Sequence, residues 1–176
     1  SIQKGFASLE YGLDGLDSPK KVNLNKNSIL NDLKEQSSQR LLMISEAIRL
    51  GKNITEIQKV TNYDSWFINQ IKSIIDLEIL ITKENLDAKL LLLVKSNGFS
   101  DKKIARLKNL SEIDVRNLRS KYNIHPSYRL IDTCAGEFDS KTPYLYSTYD
   151  WREDNPQYCE ANPTNNNKVI ILGGGP

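Results

Sequence analysis

The sequence is poor in the residues that build metal centres and disulfide frameworks. Its 176 residues include one histidine, His125, and two cysteines, Cys134 and Cys159. The cysteines lack CxxC spacing and have no histidines clustered around them, so we predict two reduced thiols and no zinc site or disulfide. His125 precedes Pro126 and is expected to be a loop residue, not a base or a metal ligand.

Long apolar runs are also absent. The longest are LLLLV at Leu90–Val94 and VIIL at Val169–Leu172, whereas a transmembrane helix needs roughly 20 apolar residues. We expect a soluble, cytoplasmic protein with no membrane association. The chain starts at Ser1 without an initiator methionine or a signal peptide, and we expect a piece of a longer protein.

The sequence does contain a strong helical pattern over its first two thirds. Apolar residues recur at helical spacing, and Gly, Asn and Asp stand where helices would end or begin. The predicted helices are Gln3–Tyr11, Ser28–Glu35, Gln39–Leu50, Asn53–Val60, a long helix with the stripe Trp66, Ile68, Ile71, Ile75 and Ile79, and then Asp87–Asn97, Asp101–Lys108 and Glu112–Tyr122. We expect the long helix to be the most buried one, with Trp66 in the core.

The helical layout repeats after 47 residues. Each unit has a leading helix ending in glycine, a short helix, an asparagine turn and a capped longer helix. The equivalent pairs include Gly51 and Gly98, Asn53 and Ser100, Asn62 and Asn109, and Ile68 and Val115. Because open arrays usually need about three units, two copies should pack against each other. The predicted fold class is mainly α: a compact helical bundle of two pseudo-repeated three-helix units, followed by an extended aromatic segment with short strands.

The aromatic segment is Arg129–Asp150. It has no apolar stripe at helical spacing and is interrupted by Gly136 and Pro143. Its tyrosines alternate with small polar residues, as extended backbone prefers, so we predict short strands or an ordered loop. Each ring buries a large apolar area, and we therefore expect the segment to pack onto something else.

Two functional alternatives remain open at the level of residues. In the second repeat, Ala105, Asn109, Leu110 and Val115 fall in the register of a helix-turn-helix. A nucleic-acid-binding module of this kind would use Glu112–Tyr122 as its recognition helix, with Arg116 and Arg119 at bases or phosphates. Steeply crossing helices need the same pattern to pack, and the first repeat has it without the basic charge.

The second alternative is an acidic site in the aromatic segment. Glu137 and Asp139 are two residues apart and would share one face of a strand, as paired carboxylates do. No histidine, lysine or metal-ligand cluster converges on them in sequence. A structural salt bridge or a turn cap is the simpler interpretation.

Four motifs in order carry a family resemblance: IDTCAGEF at Ile131–Phe138, TPYLYSTYD at Thr142–Asp150, CEANP at Cys159–Pro163 and KVIILGGGP at the end. Together they resemble the large subunit of carbamoyl phosphate synthetase. The similarity lies between its two ATP-grasp halves, in the oligomerisation domain, and covers essentially the whole chain. Gly136 departs from the pattern, in which we expect Ala.

The resemblance implies a spacer and oligomerisation domain of a ligase. Its parent would make carbamoyl phosphate from bicarbonate, glutamine-derived ammonia and two ATP, for arginine and pyrimidine biosynthesis. Its partners would be the flanking ATP-grasp halves and a small glutaminase subunit. ATP and Mg or Mn would serve the parent, whereas this fragment would hold no cofactor, metal or catalytic residue and would be inactive alone.

The resemblance also implies the domain boundaries. Residues 1–17 would be the tail of the preceding ATP-grasp half, residues 18–163 the helical domain with its extended C-terminal segment, and residues 164–176 a linker and the first strand of the next half. For self-association the candidates are Leu30 and Leu33, whose short helix has no obvious partner within the chain. Trp151, amid charged residues, is a further interface candidate.

Overall fold

A computed structural model describes residues 2–9, 11–19, 25–139, 142, 144–149 and 158–169. The chain divides into two compact units, Ser1–Ile124 and His125–Pro176. The described helices are α1 (Ile2–Ser8), α2 (Ile29–Asp32), α3 (Arg40–Arg49), α4 (Ile54–Thr61), α5 (Ser65–Lys83), α6 (Ala88–Ser96), α7 (Asp101–Lys108) and α8 (Glu112–Lys121), all in the first unit. The described strands are β1 (Ser127–Leu130) and β2 (Leu145–Thr148), both in the second. The mainly α fold class is confirmed.

Side-chain caps set the starts of five helices, α4 to α8. Asn53 Oδ1 accepts a hydrogen bond from Glu56 N at 2.8 Å, and a Glu56 carboxylate oxygen accepts one from Asn53 N at 2.9 Å. Together the two hydrogen bonds form a complete capping box before α4. Ser111 and Asp114 form the same box before α8. The predicted cap Asp64 also starts α5, since its Oδ1 accepts from Trp66 N at 2.7 Å.

The predicted repeat is confirmed by the backbone at its turns. Gly51 and Gly98, which follow the leading helices α3 and α6, have φ of 82° and 85°. Asn62 and Asn109, which end α4 and α7, have φ of 57° and 54°. These left-handed conformations suit glycine and asparagine because the first has no Cβ and the second tolerates αL.

The core of the first unit lies around α5. This helix packs against α3, α4 and α7, and α7 packs against α8, so the two repeats meet where α5 touches α7. The largest fully buried side chains are Leu16, Ile29, Leu33, Ile44, Ile57, Ile68, Ile71, Ile75, Ile81, Leu91, Phe99 and Ile104. Burying each such side chain contributes about 1.5–3 kcal/mol.

The prediction that Trp66 belongs to this core is wrong. Trp66 is 61% exposed, because it stands two positions before Ile68 and residues two apart point to different sides of a helix. Ile79, at the far end of the predicted stripe, is 44% exposed. The buried face of α5 instead passes through Ile74, Glu78 and Ile81.

The second unit contains the predicted short strands. β1 and β2 pair antiparallel, with Tyr128 opposite Ser147. Glu160 joins the end of this ribbon, since its N–H donates to Tyr128 O at 2.8 Å and its carboxylate accepts from Leu130 N. Between the strands, Gly136 has φ of 73°, so glycine suits this turn better than alanine.

Candidate functional site

A network of ion pairs crosses the first unit. Glu78 on α5 accepts from Arg49 Nε and Nη2 of α3, each at 2.9 Å, and its Oε1 lies 2.9 Å from Lys103 Nζ of α7. Lys103 Nζ also donates to Asp17 Oδ1 at 2.7 Å. Arg49 donates in addition to the carbonyl oxygen of Leu16. The network therefore ties the segment before α2 to three helices.

The charges in this network are withdrawn from water. The side chains of Lys103 and Glu78 are 5% and 8% exposed. Burial raises the pKa of Asp17, but the hydrogen bond from Lys103, the N–H of Asp14 and the charges of Lys103 and Arg106 outweigh it, so the pKa lies below its ordinary value. Removing one partner would leave buried charge without compensation.

A second cluster fastens the second repeat. Asp101, at the start of α7, accepts from Lys95 Nζ at 2.8 Å and from the Arg119 guanidinium at 2.7–3.0 Å. Lys95 also donates to Phe99 O at 2.8 Å. Burial would raise the pKa of Asp101, yet the hydrogen bonds from Arg119 and Lys95 hold it below its usual range.

These clusters weaken the nucleic-acid alternative. Arg119, predicted to contact bases or phosphates, has a side chain only 14% exposed and two-pronged contacts to Asp101. Lys103 and Arg106 form ion pairs with Asp17. Of the two arginines predicted for the recognition helix, only Arg116 is exposed. Lys95, Lys103 and Arg119 of the second repeat thus serve the packing of the helical unit.

An aromatic groove opens beside α5. Trp66 and Phe67 are 61% and 58% exposed and meet edge to face, with ring centroids 4.9 Å apart. They line a cavity of about 550 Å³ together with Ile2, Gln3, Leu41, Gln70, Ile71, Ser73, Ile74, Ser96 and Asn97. We call this surface the Trp66 groove.

The predicted self-association residues fall in different environments. Leu33 is fully buried, so the premise that it has no partner within the chain is wrong. Leu30 is half-buried and keeps part of its side chain at the surface. Trp151 lies outside the described residues. Self-association itself stays a prediction.

The acidic alternative in the second unit is not supported by the geometry. Glu137 and Asp139 lie in the exposed loop after β1, and the expectation that they share a strand face is wrong. Asp132 turns this loop by accepting from Cys134 N and Gly136 N. Across the described residues no group of three or more His, Cys, Asp or Glu side chains is placed to hold a metal ion.

Other predicted residues have simpler places. His125 is an exposed loop residue, as predicted. Cys134 and Cys159 are both free thiols. Among the described helices, none combines the length and the apolar character that crossing a membrane requires. Gly173–Gly175, at the end of the fourth motif, lie outside the described residues.

The family model for the carbamoyl-phosphate synthetase large chain, oligomerisation domain, matches residues 1–123. The chain belongs to this family. The matched part of this oligomerisation domain corresponds closely to the helical unit that ends at Ile124. The family resemblance that the four motifs indicate is thereby confirmed, although those motifs lie after the matched residues.

Curated relatives extend the similarity over the entire chain. The carbamoyl phosphate synthase large chain of Vibrio cholerae is 41% identical over 183 aligned residues, and that of Buchnera aphidicola is 42% identical over 184. The large chain of Caldanaerobacter subterraneus is 39% identical over 179. Each alignment covers 100% of this chain and 16% of the relative. The chain therefore spans about a sixth of the length of the large chains that it matches.

Sequence reasoning about this oligomerisation domain missed the ion-pair network. One signal was present: Glu78 stands four residues after Ile74 and three before Ile81, which places a carboxylate in the apolar stripe of α5. A charge in such a position is buried only with a partner. The identity of the partners, Arg49 and Lys103, has no counterpart in any local pattern.

Proposed function

We propose that this chain is the connecting and oligomerisation region of a carbamoyl phosphate synthase large chain, set between two ATP-grasp halves. The observation that carries the proposal is the match of the entire chain, at about 40% identity, to 16% of the length of proteins with that name. Its role is geometric: it holds apart two ATP-using sites that lie elsewhere in the polypeptide.

The ion-pair network supports this role. A connector must hold one arrangement, and the network fastens the segment that contains Asp17 to α3, α5 and α7 through Glu78 and Lys103. Buried ion pairs restrict the helices to arrangements in which each charge keeps its partner. A connector fixed in this way transmits the position of one neighbouring domain to the next.

The parent is then a ligase that makes carbamoyl phosphate from bicarbonate, ammonia and two ATP. A small glutaminase subunit supplies the ammonia, ATP with Mg or Mn is the parent's cofactor, and the product feeds arginine and pyrimidine synthesis in the cytoplasm. Residues 1–176 by themselves perform no turnover. Its buried Lys95 and Lys103 are both engaged with carboxylates, and the acidic loop around Glu137 is open to solvent.

The deciding experiment uses the full-length gene product. With bicarbonate, ATP, magnesium and ammonia it should form carbamoyl phosphate, measured by coupling to ornithine transcarbamoylation. Residues 1–176 alone should neither hydrolyse ATP nor bind it in isothermal titration. A full-length product without this activity would refute the proposed parent, and turnover by residues 1–176 would refute the role as a connector.

Self-association is tested separately at Leu30. A Leu30→Glu substitution in the full-length chain should shift sedimentation toward the monomer and leave helical content unchanged, because the side chain is only half-buried. Leu33→Glu is unsuitable, since Leu33 is fully buried and a charge there would unfold the helical unit. Unchanged sedimentation of Leu30→Glu would remove α2 from the interface.

A further inference from the structure

The Trp66 groove is an extension of the core face of α5 that the described residues of the helical unit leave open. Phe67 stands four residues before Ile71 and seven before Ile74, so all three point to the same side of the helix. Ile71 is 1% and Ile74 9% exposed, whereas Phe67 is 58% exposed. The apolar stripe of α5 therefore continues from buried positions to an exposed one at Phe67.

Trp66 widens this apolar surface. Its ring packs edge to face on Phe67, and the pair projects from the first turn of α5. Leu41 of α3 contributes to the groove and also to a second hollow on the other side of Phe67, lined by Asn62, Tyr63 and Asp64. Two large exposed rings beside apolar side chains mark a binding surface more often than a scattered exposed residue does.

The beginning of the described chain lies in this groove. Ile2 and Gln3 of α1 line it beside Trp66 and Phe67. Gln3 is 2% exposed and donates from Nε2 to Asn97 O at 2.9 Å, while its Oε1 accepts no hydrogen bond from any described residue. Any polypeptide that precedes residue 1 therefore emerges at the rim of the Trp66 groove.

We propose that the Trp66 groove is the docking face for the domain that precedes residue 1 in the full-length large chain. The inference rests on the proposed function, in which this chain is an internal part of a longer polypeptide, as the 16% coverage of the relatives supports. A domain joined at Ile2 is held near the groove at high effective concentration, so even a modest apolar contact is occupied.

This geometry favours a tethered domain over a second copy of the chain as the occupant of the groove. A second copy has no covalent connection at the rim, and its occupancy falls on dilution. A tethered domain covers Trp66 and Phe67 at every protein concentration. The two occupants are thus distinguished by concentration dependence and by the identity of the contacting peptide.

The test uses the full-length large chain with photo-crosslinking benzoylphenylalanine in place of Phe67. Irradiation followed by peptide mass spectrometry should give crosslinks to peptides that precede residue 1. Mixing isotopically light and heavy chains separates contacts within one chain from contacts between copies. Crosslinks to a second copy, or to the region after residue 176, would overturn the proposal.

Coverage of the groove is measured independently with Ser73→Cys, since Ser73 lines the groove and is exposed in the helical unit. In the native full-length chain a maleimide should label it at least about tenfold more slowly than in denaturant, at all protein concentrations. Adding Trp66→Ala and Phe67→Ala should restore fast labelling. The matched variant Ser120→Cys, exposed on α8, should not respond to the two aromatic substitutions.

The proposal would be overturned if maleimide labelled Ser73→Cys as fast in the native chain as in denaturant. It would also be overturned if slow labelling became fast on dilution while the sedimentation coefficient fell. Such a result leaves the proposed function standing if the same full-length chain makes carbamoyl phosphate. Loss of that activity in the unsubstituted chain would instead show that the proposed function is wrong.

Discussion

The two helical repeats share one backbone layout but differ in chemistry at the third residue of two helices. In the first repeat this residue of α4 is Glu56, whose carboxylate turns back to cap Asn53 N at 2.9 Å. Its equivalent in α7, 47 residues later, is Lys103. The Lys103 side chain instead extends away from α7 and forms ion pairs with Asp17 and Glu78 in the buried network.

In the long helices the capping residue belongs to the second repeat and the non-capping residue belongs to the first. In the second repeat the third residue of α8 is Asp114, which completes a capping box with Ser111. Its equivalent in α5 is Phe67, which lines the Trp66 groove. At this position Glu56 and Asp114 cap their own helices, Lys103 pairs with carboxylates outside its helix, and Phe67 lines a surface groove. Residues that cap a helix specify where it starts, whereas residues that pair with other elements determine where the helix lies.

The largest effect is expected at Lys103, the residue that fixes the position of α7. Lys103→Ala leaves the carboxylates of Asp17 and Glu78 buried with one cation fewer and should lower the free energy of unfolding by about 3–5 kcal/mol. Lys102→Ala is the matched control, because the Lys102 side chain is 63% exposed and its ion pair with Asp14 contributes at most about 1 kcal/mol. Urea unfolding followed by circular dichroism measures both. Equal losses would contradict the assigned difference.

Acid should weaken both ion-pair clusters. Asp17 and Asp101 have pKa values below their ordinary value of 3.8, so they bind protons more readily when unfolded. Their contribution to stability is complete above that value and is lost as the pH falls through the lower, folded-state pKa values. Urea unfolding between about pH 5 and 2 should show this decline. Lys103→Ala should reduce the part of this decline that comes from Asp17, whereas Lys102→Ala should leave the decline unchanged. A flat profile in the unsubstituted chain would refute the assignment.

The asparagine turns should respond alike in both repeats. Asn62→Ala and Asn109→Ala each place a Cβ without a local hydrogen-bonding group in the left-handed region and should cost about 1–2 kcal/mol. Glycine at either position should be close to neutral, because it adopts positive φ without strain. Thermal unfolding of the four variants provides the comparison. An alanine variant as stable as the glycine variant would contradict the turn assignment.

The capping boxes should contribute less. Asn53→Ala and Ser111→Ala each remove an acceptor from a helix start and should destabilise by about 1 kcal/mol. Ser120→Ala, exposed within α8, is the control and should leave stability unchanged or slightly improved. Chemical unfolding resolves differences of this size. A cap variant that behaves like the control would mean that tertiary packing alone holds that helix start.

The smallest effect is expected at the groove. Trp66→Ala in residues 1–176 should change stability by no more than about 0.5 kcal/mol, since the ring is 61% exposed. Ile68→Ala, two positions on and fully buried, should cost about 2–5 kcal/mol. Unfolding curves of the pair measure the contrast. A large loss at Trp66 would indicate that the ring is covered within the helical unit after all.

Much of the helical unit could be predicted from sequence because its signals are local. Asp101–Lys108 was predicted with the bounds that α7 has, and the αL turns at Asn62 and Asn109 follow from residue type and position. The prediction for Trp66 failed because it rested on hydrophobicity and not on the angle around the helix. Leu33 is buried by other parts of the fold, and the sequence of a four-residue helix does not indicate those contacts.

What the sequence determined by itself is where helices begin, turn and end, since caps, boxes and positive-φ asparagines act over three or four residues. The ion pair of Lys103 with Asp17, 86 residues apart, was decided only by tertiary structure, as were the partners of Glu78 and the exposure of Phe67. The physical reason is range: a capping residue finds its partner on its own helix. A buried charge or an apolar face finds its partner only after several helices have packed.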